Sequence, residues 1–244
     1  MKNQNIAELL SGKKYPGRGI IIGRSPDGNH AVIAYFIMGR SANSRNRVFE
    51  IREDNMHGDI RTKAFDESQL TDPSLIIYNP VQTHWNRVIV TNGDQTDTIS
   101  ELIDEKDLTF EQSIKFIEFE PDKPYYTPRI SAVLNFCCRE PYFDYALSIA
   151  KTADGDPASC RRFVYNYDKP IKGQGHFIHT YGDDDVNLPS FSGEPITVSI
   201  DSDDIDVFSK TLWDNLNADN KVSLFVRYVS MLDGESVQRI VNVR

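Results

Sequence analysis

Apolar and polar positions along this chain form blocks whose period changes several times. Asn5, with Glu8 three residues later, predicts a helix N-terminus, and Gly12 predicts its stop. Gly19–Gly23 (GIIIG) is a continuous apolar run of the kind a buried strand shows. Ser25–Asn29 (SPDGN) reads as a turn and Ala31–Met38 as a second strand, so the pair predicts a hairpin. Gly39–Arg47 (GRSANSRNR) is polar throughout and predicts a loop at the strand's end. Two further strands are predicted at Leu75–Tyr78 and Arg87–Thr91, the second punctuated by Asn92-Gly93-Asp94. Thr98–Lys106 suits a helix, with Asp97 or Thr98 as its cap. Thr109 with Gln112 caps another, carrying Phe110, Ile114 and Ile117 on one face.

Beyond the proline-flanked Pro124–Pro128, short strands return at Ile130–Phe136, Tyr145–Ala150, Phe163–Tyr167 and Phe177–Tyr181, followed by an acidic turn at Asp183–Asp185. Ile205, Phe208, Leu212 and Leu216 have helical spacing, and Val222–Tyr228 and Gln238–Val243 close the chain as strands. Strand groups and helix groups alternate in blocks and not as βαβ units. That predicts an α+β fold of antiparallel sheets with helices on their outer faces. No internal repeat or low-complexity linker divides the 244 residues, which predicts one domain over residues 1–244.

Composition narrows the partners. A formal charge of −9 speaks against broad nucleic-acid affinity, yet a local arginine cluster can still dominate a pocket that takes a small anion. No apolar run approaches the roughly 20 residues a bilayer span needs. The start, MKNQNIAELLSGKK, lacks the apolar core of a signal peptide, so no membrane partner is expected. Three cysteines, two of them adjacent (Cys137 and Cys138) and none in a CxxC pair, fit a reducing cytoplasm and give a zinc or redox site nothing to stand on. Both adjacent cysteines read as strand residues. His176 and His179, three apart on a predicted strand, face opposite sides, so no metal site is expected there. The acidic run at 201–206 reads as a helix start.

Four places carry candidate chemistry. Arg40, Arg45 and Arg47 fall in one loop with no acid among them, and a guanidinium fork binds phosphate or carboxylate bidentately; a solvated basic loop is the plainer alternative. In VTNGDQTDTI, Asn92 offers donor and acceptor and Gly93 admits close approach of a ligand, although strand, turn and helix cap explain the same residues. Glu120, ahead of Thr127-Pro128-Arg129, could exchange protons or simply pair with Arg129. The Tyr78 hydroxyl could face a pocket or mark the edge of a core.

Taken in order, YPGRGIIIGRSPDGNHAVIAY, GRSANSR, IIYNP, VTNGDQTDTI, FEPDKPYYTPRI and TADG resemble the archaeal-type IMP cyclohydrolase family, in register from about Tyr15 to Tyr181. The resemblance implies a four-layer αββα sandwich like that of N-terminal-nucleophile hydrolases. It implies ring closure of 5-formamidoimidazole-4-carboxamide ribotide to IMP, with no metal or organic cofactor and a small purine ribotide as partner; the oligomeric state, a homo-oligomer included, stays open. It carries the family's site onto Arg40, Arg45, Tyr78, Asn92 and Glu120; the expectation built on it makes Arg45, Tyr78 and Glu120 catalytic and Arg40, Arg47, Asn92, Gly93, Thr96, Asp97 and Arg129 substrate-binding. The loop departs from the family, with Ala-Asn-Ser between its first two arginines where the family has a bulkier stretch with proline, and Arg47 competes with Arg45. Residues 1–14 form an N-terminal extension, and 182–244 match the motifs poorly. A head of Met1-Lys2 offers no Ser, Thr or Cys nucleophile and speaks against an amidohydrolase. A purine-nucleotide binder or sensor without catalysis is the second reading.

Overall fold

A computed structural model describes residues 3–53, 57–70, 73, 76–182 and 187–244. Helix α1 (Ile6–Ser11) is capped as its sequence predicts: Asn5 Oδ1 accepts from Glu8 N at 3.0 Å and the helix stops at Gly12. Strands β1 (Arg18–Arg24) and β2 (His30–Met38) form the expected hairpin, with Ile20 opposite Tyr35. A four-residue helix, α2 (Ala42–Arg45), replaces part of the predicted loop because Ser41 and Ser44 cap each other reciprocally. Next come β3 (Val48–Ile51), β4 (Ile60–Lys63), β5 (Val81–His84), β6 (Arg87–Thr91), α3 (Gln95–Asp104) and α4 (Phe110–Ile114). The remainder is β7 (Arg129–Phe136), β8 (Phe143–Ala153), β9 (Asp156–Tyr167), β10 (Gln174–His179), β11 (Ile196–Ser199), α5 (Ile205–Asn215), β12 (Lys221–Ser230) and β13 (Ser236–Asn242).

The strands build two antiparallel sheets, ordered β11-β10-β1-β2-β12-β13 and β3-β4-β5-β6-β7-β8-β9. Alternate side chains divide between two faces. Ile20, Ile22, Ile33 and Tyr35 meet Val90, Ile130 and Leu147 in a core between the sheets. Their neighbours Ile21, Val32, Ala34 and Phe36 face outward onto Ile6 and Leu10 of α1 and Phe208 and Leu212 of α5. On the second sheet, Ile89, Val133 and Ala146 face outward onto Ile99, Ile103, Phe110 and Ile114 of α3 and α4. The order of layers is therefore α, β, β, α, and β1 reads as an unbroken apolar run because both its faces are covered.

Several elements differ from their sequence pattern. Leu75 lies outside the described residues, and Ile76–Tyr78 belongs to no strand: the Ile76 and Ile77 amides both donate to Pro73 O, and Ile76 lies in a turn. Pro80 cannot donate to a ladder, so pairing begins only at Val81. Helix α3 starts three residues before Thr98, which puts Asp97 and Thr98 inside it and leaves Asp94 as an N-cap whose side chain makes no capping bond to the helix. Cys137 and Cys138 lie past the end of β7, exposed in the turn to β8. The acidic turn 183–185 lies outside the described residues. His176 and His179 do face opposite sides: His176 turns inward, with Nδ1 2.6 Å from Tyr145 Oη, and His179 lies beside outward-facing Phe177. Asp204 caps α5, as the acidic run suggests.

One end of the sandwich is clamped by polar groups. Arg227 of β12 and Asp59 just before β4 meet at 3.4 Å with side-chain exposures of 2% and 1%. Thr83 of β5 and Gln238 of β13 complete the network. Removing one partner of such a pair strands a buried charge. Asp59→Ala should therefore cost about 3–5 kcal/mol in urea unfolding; a loss below about 1 kcal/mol would show that the clamp is incidental.

Candidate active site

The opposite end of the sandwich gathers the start of β1, the end of β2, and the segments that lead into β3, β5 and β7. Gly17 makes the approach to β1 possible. Its φ is +79°, and a Cβ there would lie 2.2 Å from Thr180 Oγ1. Arg18 follows, with its amide donating to Thr180 Oγ1 at 3.1 Å and its carbonyl accepting from Thr180 N at 3.0 Å. The side chain crosses to the other sheet, where Nη2 lies 3.5 Å from Glu120 Oε2.

Each remaining member is held by its backbone. Asn46 exchanges two 2.8 Å hydrogen bonds with the backbone of Asp66, which turns the chain between α2 and β3 and sends Arg47 into the interior. Arg47 is 5% exposed, and its Nε and Nη1 have no hydrogen-bond partner among the described residues; nor has Arg18 Nε. Tyr78 is fixed on both sides by Thr62 of β4, which takes its amide on Oγ1 at 2.9 Å and donates N–H to its carbonyl at 2.8 Å. Its hydroxyl meets that of Tyr35 at 2.8 Å. Glu120 sits in the loop before β7, 4% exposed.

These groups perturb one another. Burial raises the Glu120 carboxyl above its ordinary value, although Arg18, Arg129 and Arg47 all favour the carboxylate; Asp122 adds to the rise. Burial works against the Arg18 charge, but Glu120 and the phenols of Tyr181, Tyr78 and Tyr35 outweigh it, so the guanidinium stays charged. Burial also lifts the Tyr35 phenol well above its usual range, with Tyr78 adding and Arg18 and Arg47 opposing. Tyr181 is pushed up to about 12 by burial, against Arg18 and Thr127. The result is a closed, cationic cage that contains a carboxyl biased toward its acid form and a pair of phenols. Such a cage can stabilise an oxyanion and pass a proton to it.

Of the residues singled out in the sequence, Arg47, Tyr78 and Glu120 come together here, with Arg129 close enough to act on Glu120. Arg45 does not: Nε donates to Gly39 O at 2.9 Å and Nη2 to Asp219 O. Arg40 lies over the Tyr15 ring, 4.7 Å from its centroid, and that ring stacks on Tyr181. Asn92 commits three of its four hydrogen-bonding positions to the chain itself. Oδ1 accepts from Ile130 N and Gln95 Nε2, and Nδ2 donates to Pro128 O. A Cβ on Gly93 would meet Gln95 Oε1 at 2.6 Å, so the close approach there is made by the protein's own side chain. Thr96 bonds to Thr91 and Gly93 O, Asp97 accepts from Asn79 and Gln82 at the surface, and Arg129 pairs with Asp94.

Arg18 and Tyr35 are the members that the sequence pattern missed. The available signals were a cation at the head of a run buried on both faces and one hydroxyl inside AVIAYFIM. Among the described residues, no group of three or more His, Cys, Asp or Glu could hold a metal, and no helix is long and apolar enough to cross a membrane.

The raised Glu120 carboxyl has a consequence for stability. The native state holds this proton more tightly than the unfolded chain, so its contribution is full below the ordinary glutamate value of 4.5 and shrinks as pH rises through the raised value. The unfolding free energy of the wild type relative to Glu120→Gln should therefore fall as pH rises above the ordinary glutamate value in denaturant titrations. A relative stability that rises with pH contradicts this.

Comparison with known proteins agrees with the motif order. The chain is 29% identical over 125 residues to an IMP cyclohydrolase of Methanococcus aeolicus, covering 50% of this chain and 58% of that protein. It is 30% identical over 124 residues to an IMP cyclohydrolase of Methanococcus maripaludis, covering 49% of this chain and 58% of that protein. The aligned stretch thus spans little more than half the length of either relative. The profile of the IMP cyclohydrolase-like proteins matches residues 15–234, past the point near Tyr181 where the motif resemblance ends. The protein belongs to the IMP cyclohydrolase-like family.

Proposed function

We propose that this protein closes the second ring of the purine base, converting 5-formamidoimidazole-4-carboxamide ribotide to IMP and water in the cytoplasm. The observation that carries the proposal is the pair of buried guanidinium groups, Arg18 and Arg47, with unpartnered nitrogens beside a carboxyl biased toward its acid form.

The reaction joins the carboxamide nitrogen to the formyl carbon of the neighbouring substituent. The carboxamide nitrogen gives up one proton, which goes to the formyl oxygen as it becomes a carbinol. That oxygen then takes up a second proton and leaves as water, while the formamido nitrogen loses its proton and a C=N bond completes the ring. A carboxamide is a weak nucleophile, so much of the gain comes from holding the two groups at roughly 3–3.5 Å in the reactive rotamer. Arg47 and Tyr78 supply donors to the oxygen as charge grows on it, and Arg18 adds field from the opposite sheet. The Tyr35 and Tyr78 hydroxyls lie 2.8 Å apart and either can donate; with Tyr35 as the donor, the Tyr78 hydrogen is left for substrate. Glu120 protonates the departing oxygen and recovers a proton from the formamido nitrogen as the C=N bond forms.

In this reading Arg47 takes the inner role, while Arg45 and Arg40 stay at the rim, where a 5′-phosphate would sit. Asn92 secures the β6–β7 junction, which bears on Arg129 and Glu120. Tyr35, Tyr78 and Glu120 are buried, so a ribotide reaches them only when part of the surrounding chain moves aside.

Arg47→Ala, Tyr78→Phe and Glu120→Gln should each lower kcat by at least ~10²-fold in an assay for IMP formation. Arg45→Ala should raise KM and leave kcat within about threefold of wild type. Near-normal kcat in the first three variants would remove the site assignment. Tight binding of the formylated ribotide with no turnover would favour a nucleotide-binding protein instead.

A further inference from the structure

We propose that Asp122, Thr127 and Tyr181 are positioning residues for the Glu120 carboxyl: a chain of hydrogen bonds through them ties the loop that carries it to the end of β10 in the opposite sheet. The inference rests on the reading of Glu120 as the group that moves protons.

The loop 120–127 belongs to no helix or strand, yet its ends are joined. Glu120 N donates to Thr127 O at 2.8 Å. Asp122 accepts from Thr127 N at 2.6 Å on one carboxylate oxygen and from Thr127 Oγ1 at 2.5 Å on the other. Thr127 has one hydroxyl hydrogen, and it goes to an acceptor that has none to give back. Tyr181 Oη must therefore be the donor in its 2.7 Å contact with Thr127 Oγ1. The chain has one direction, from Tyr181 through Thr127 to Asp122.

Its far end lies at the foundation of Arg18. Tyr181 N donates to Pro16 O, and the preceding residue, Thr180, exchanges hydrogen bonds with the Arg18 backbone. One set of bonds thus fixes both members of the Arg18–Glu120 pair. The carboxyl needs that support, because its side-chain hydrogen bond among the described residues is a single contact of 3.5 Å, at the long limit for such a bond. Thr127 is 1% exposed and Tyr181 is 4% exposed, so removing either hydroxyl leaves a buried polar partner unsatisfied and loosens the loop.

The charged groups that face Glu120 give the lock a second effect. Arg18 from β1, Arg47 ahead of β3 and Arg129 at the start of β7 favour the carboxylate, and only burial, with help from Asp122 in its own loop, holds it toward the acid. A loosened loop admits water, and the balance then shifts to the arginines.

The test combines steady-state kinetics with a carbon-13 NMR titration of the Glu120 side chain in the free protein, its signal identified by loss in Glu120→Gln. Thr127→Val and Tyr181→Phe should each lower kcat by at least ~10-fold with KM changed by less than about threefold. Both should move the Glu120 titration to lower pH, and Thr127→Ser, which keeps the hydroxyl, should restore rate and titration together. Wild-type kcat and wild-type titration in both Thr127→Val and Tyr181→Phe would overturn the proposal. If the wild type makes no IMP, the proposed reaction fails, and the titration alone still decides whether the chain positions Glu120. If Thr127→Val does not fold, Tyr181→Phe carries the test, since its ring can keep its stack on Tyr15 at 5.9 Å.

Discussion

A cation and a carboxyl taken out of water between two sheets, Arg18 and Glu120, set the terms for this end of the molecule. Burying an ion costs roughly several kcal/mol even after the surroundings relax, and a partner at 3.5 Å repays only part of that. Arg47 adds a second buried cation with two nitrogens unpartnered. Such an arrangement is weak as a stabilising device. It persists because the backbone over-determines it: Thr180 holds Arg18, Asn46 and Asp66 hold Arg47, Thr62 holds Tyr78, and Thr127 holds Glu120. Unsatisfied charge held on a rigid frame is what a preorganised site requires.

The two ends of the sandwich make the contrast plain. At the end with Arg227, all five guanidinium hydrogens have acceptors in Asp59, Thr83, Gln238 and Gly58 O, so that cation is complete and structural. At the end with Arg18 and Arg47 the cations are buried too, but their donors are not all satisfied. The same residue type thus closes one end and leaves the other with donors to offer a ligand.

Much of the architecture was legible in the sequence where local pattern and tertiary burial agree. The β1–β2 hairpin carries a turn at Ser25–Asn29 between two apolar runs, and α4 carries its capping box at Thr109 and Gln112. What escaped was short or polar. β3, β4, β5 and β11 have four residues each, too few to show a period, and β4 alternates buried with exposed around a charged surface. Tyr78 was expected at the end of a strand, but IIYNP forms no strand and is pinned to Thr62 through the Tyr78 backbone. Arg18 could not be assigned from local pattern, since its partner lies 102 residues away and only the stacking of the sheets brings them together. That Arg47 and not Arg45 turns into the interior depends likewise on Asn46, which bonds to the Asp66 backbone and which no motif marks.

The central claim is that Arg47, Tyr78 and Glu120, with Arg18 behind them, surround a single purine ribotide. A crystal structure of the protein soaked with IMP tests it most directly. The account predicts the base within hydrogen-bonding distance of Arg47, Tyr78 and Glu120, with the phosphate toward Arg40 and Arg45. IMP seated instead in the 790 Å³ cleft at the far end, beside Trp85, Cys137 and Met231, with the Arg18–Glu120 cage unchanged, would contradict it.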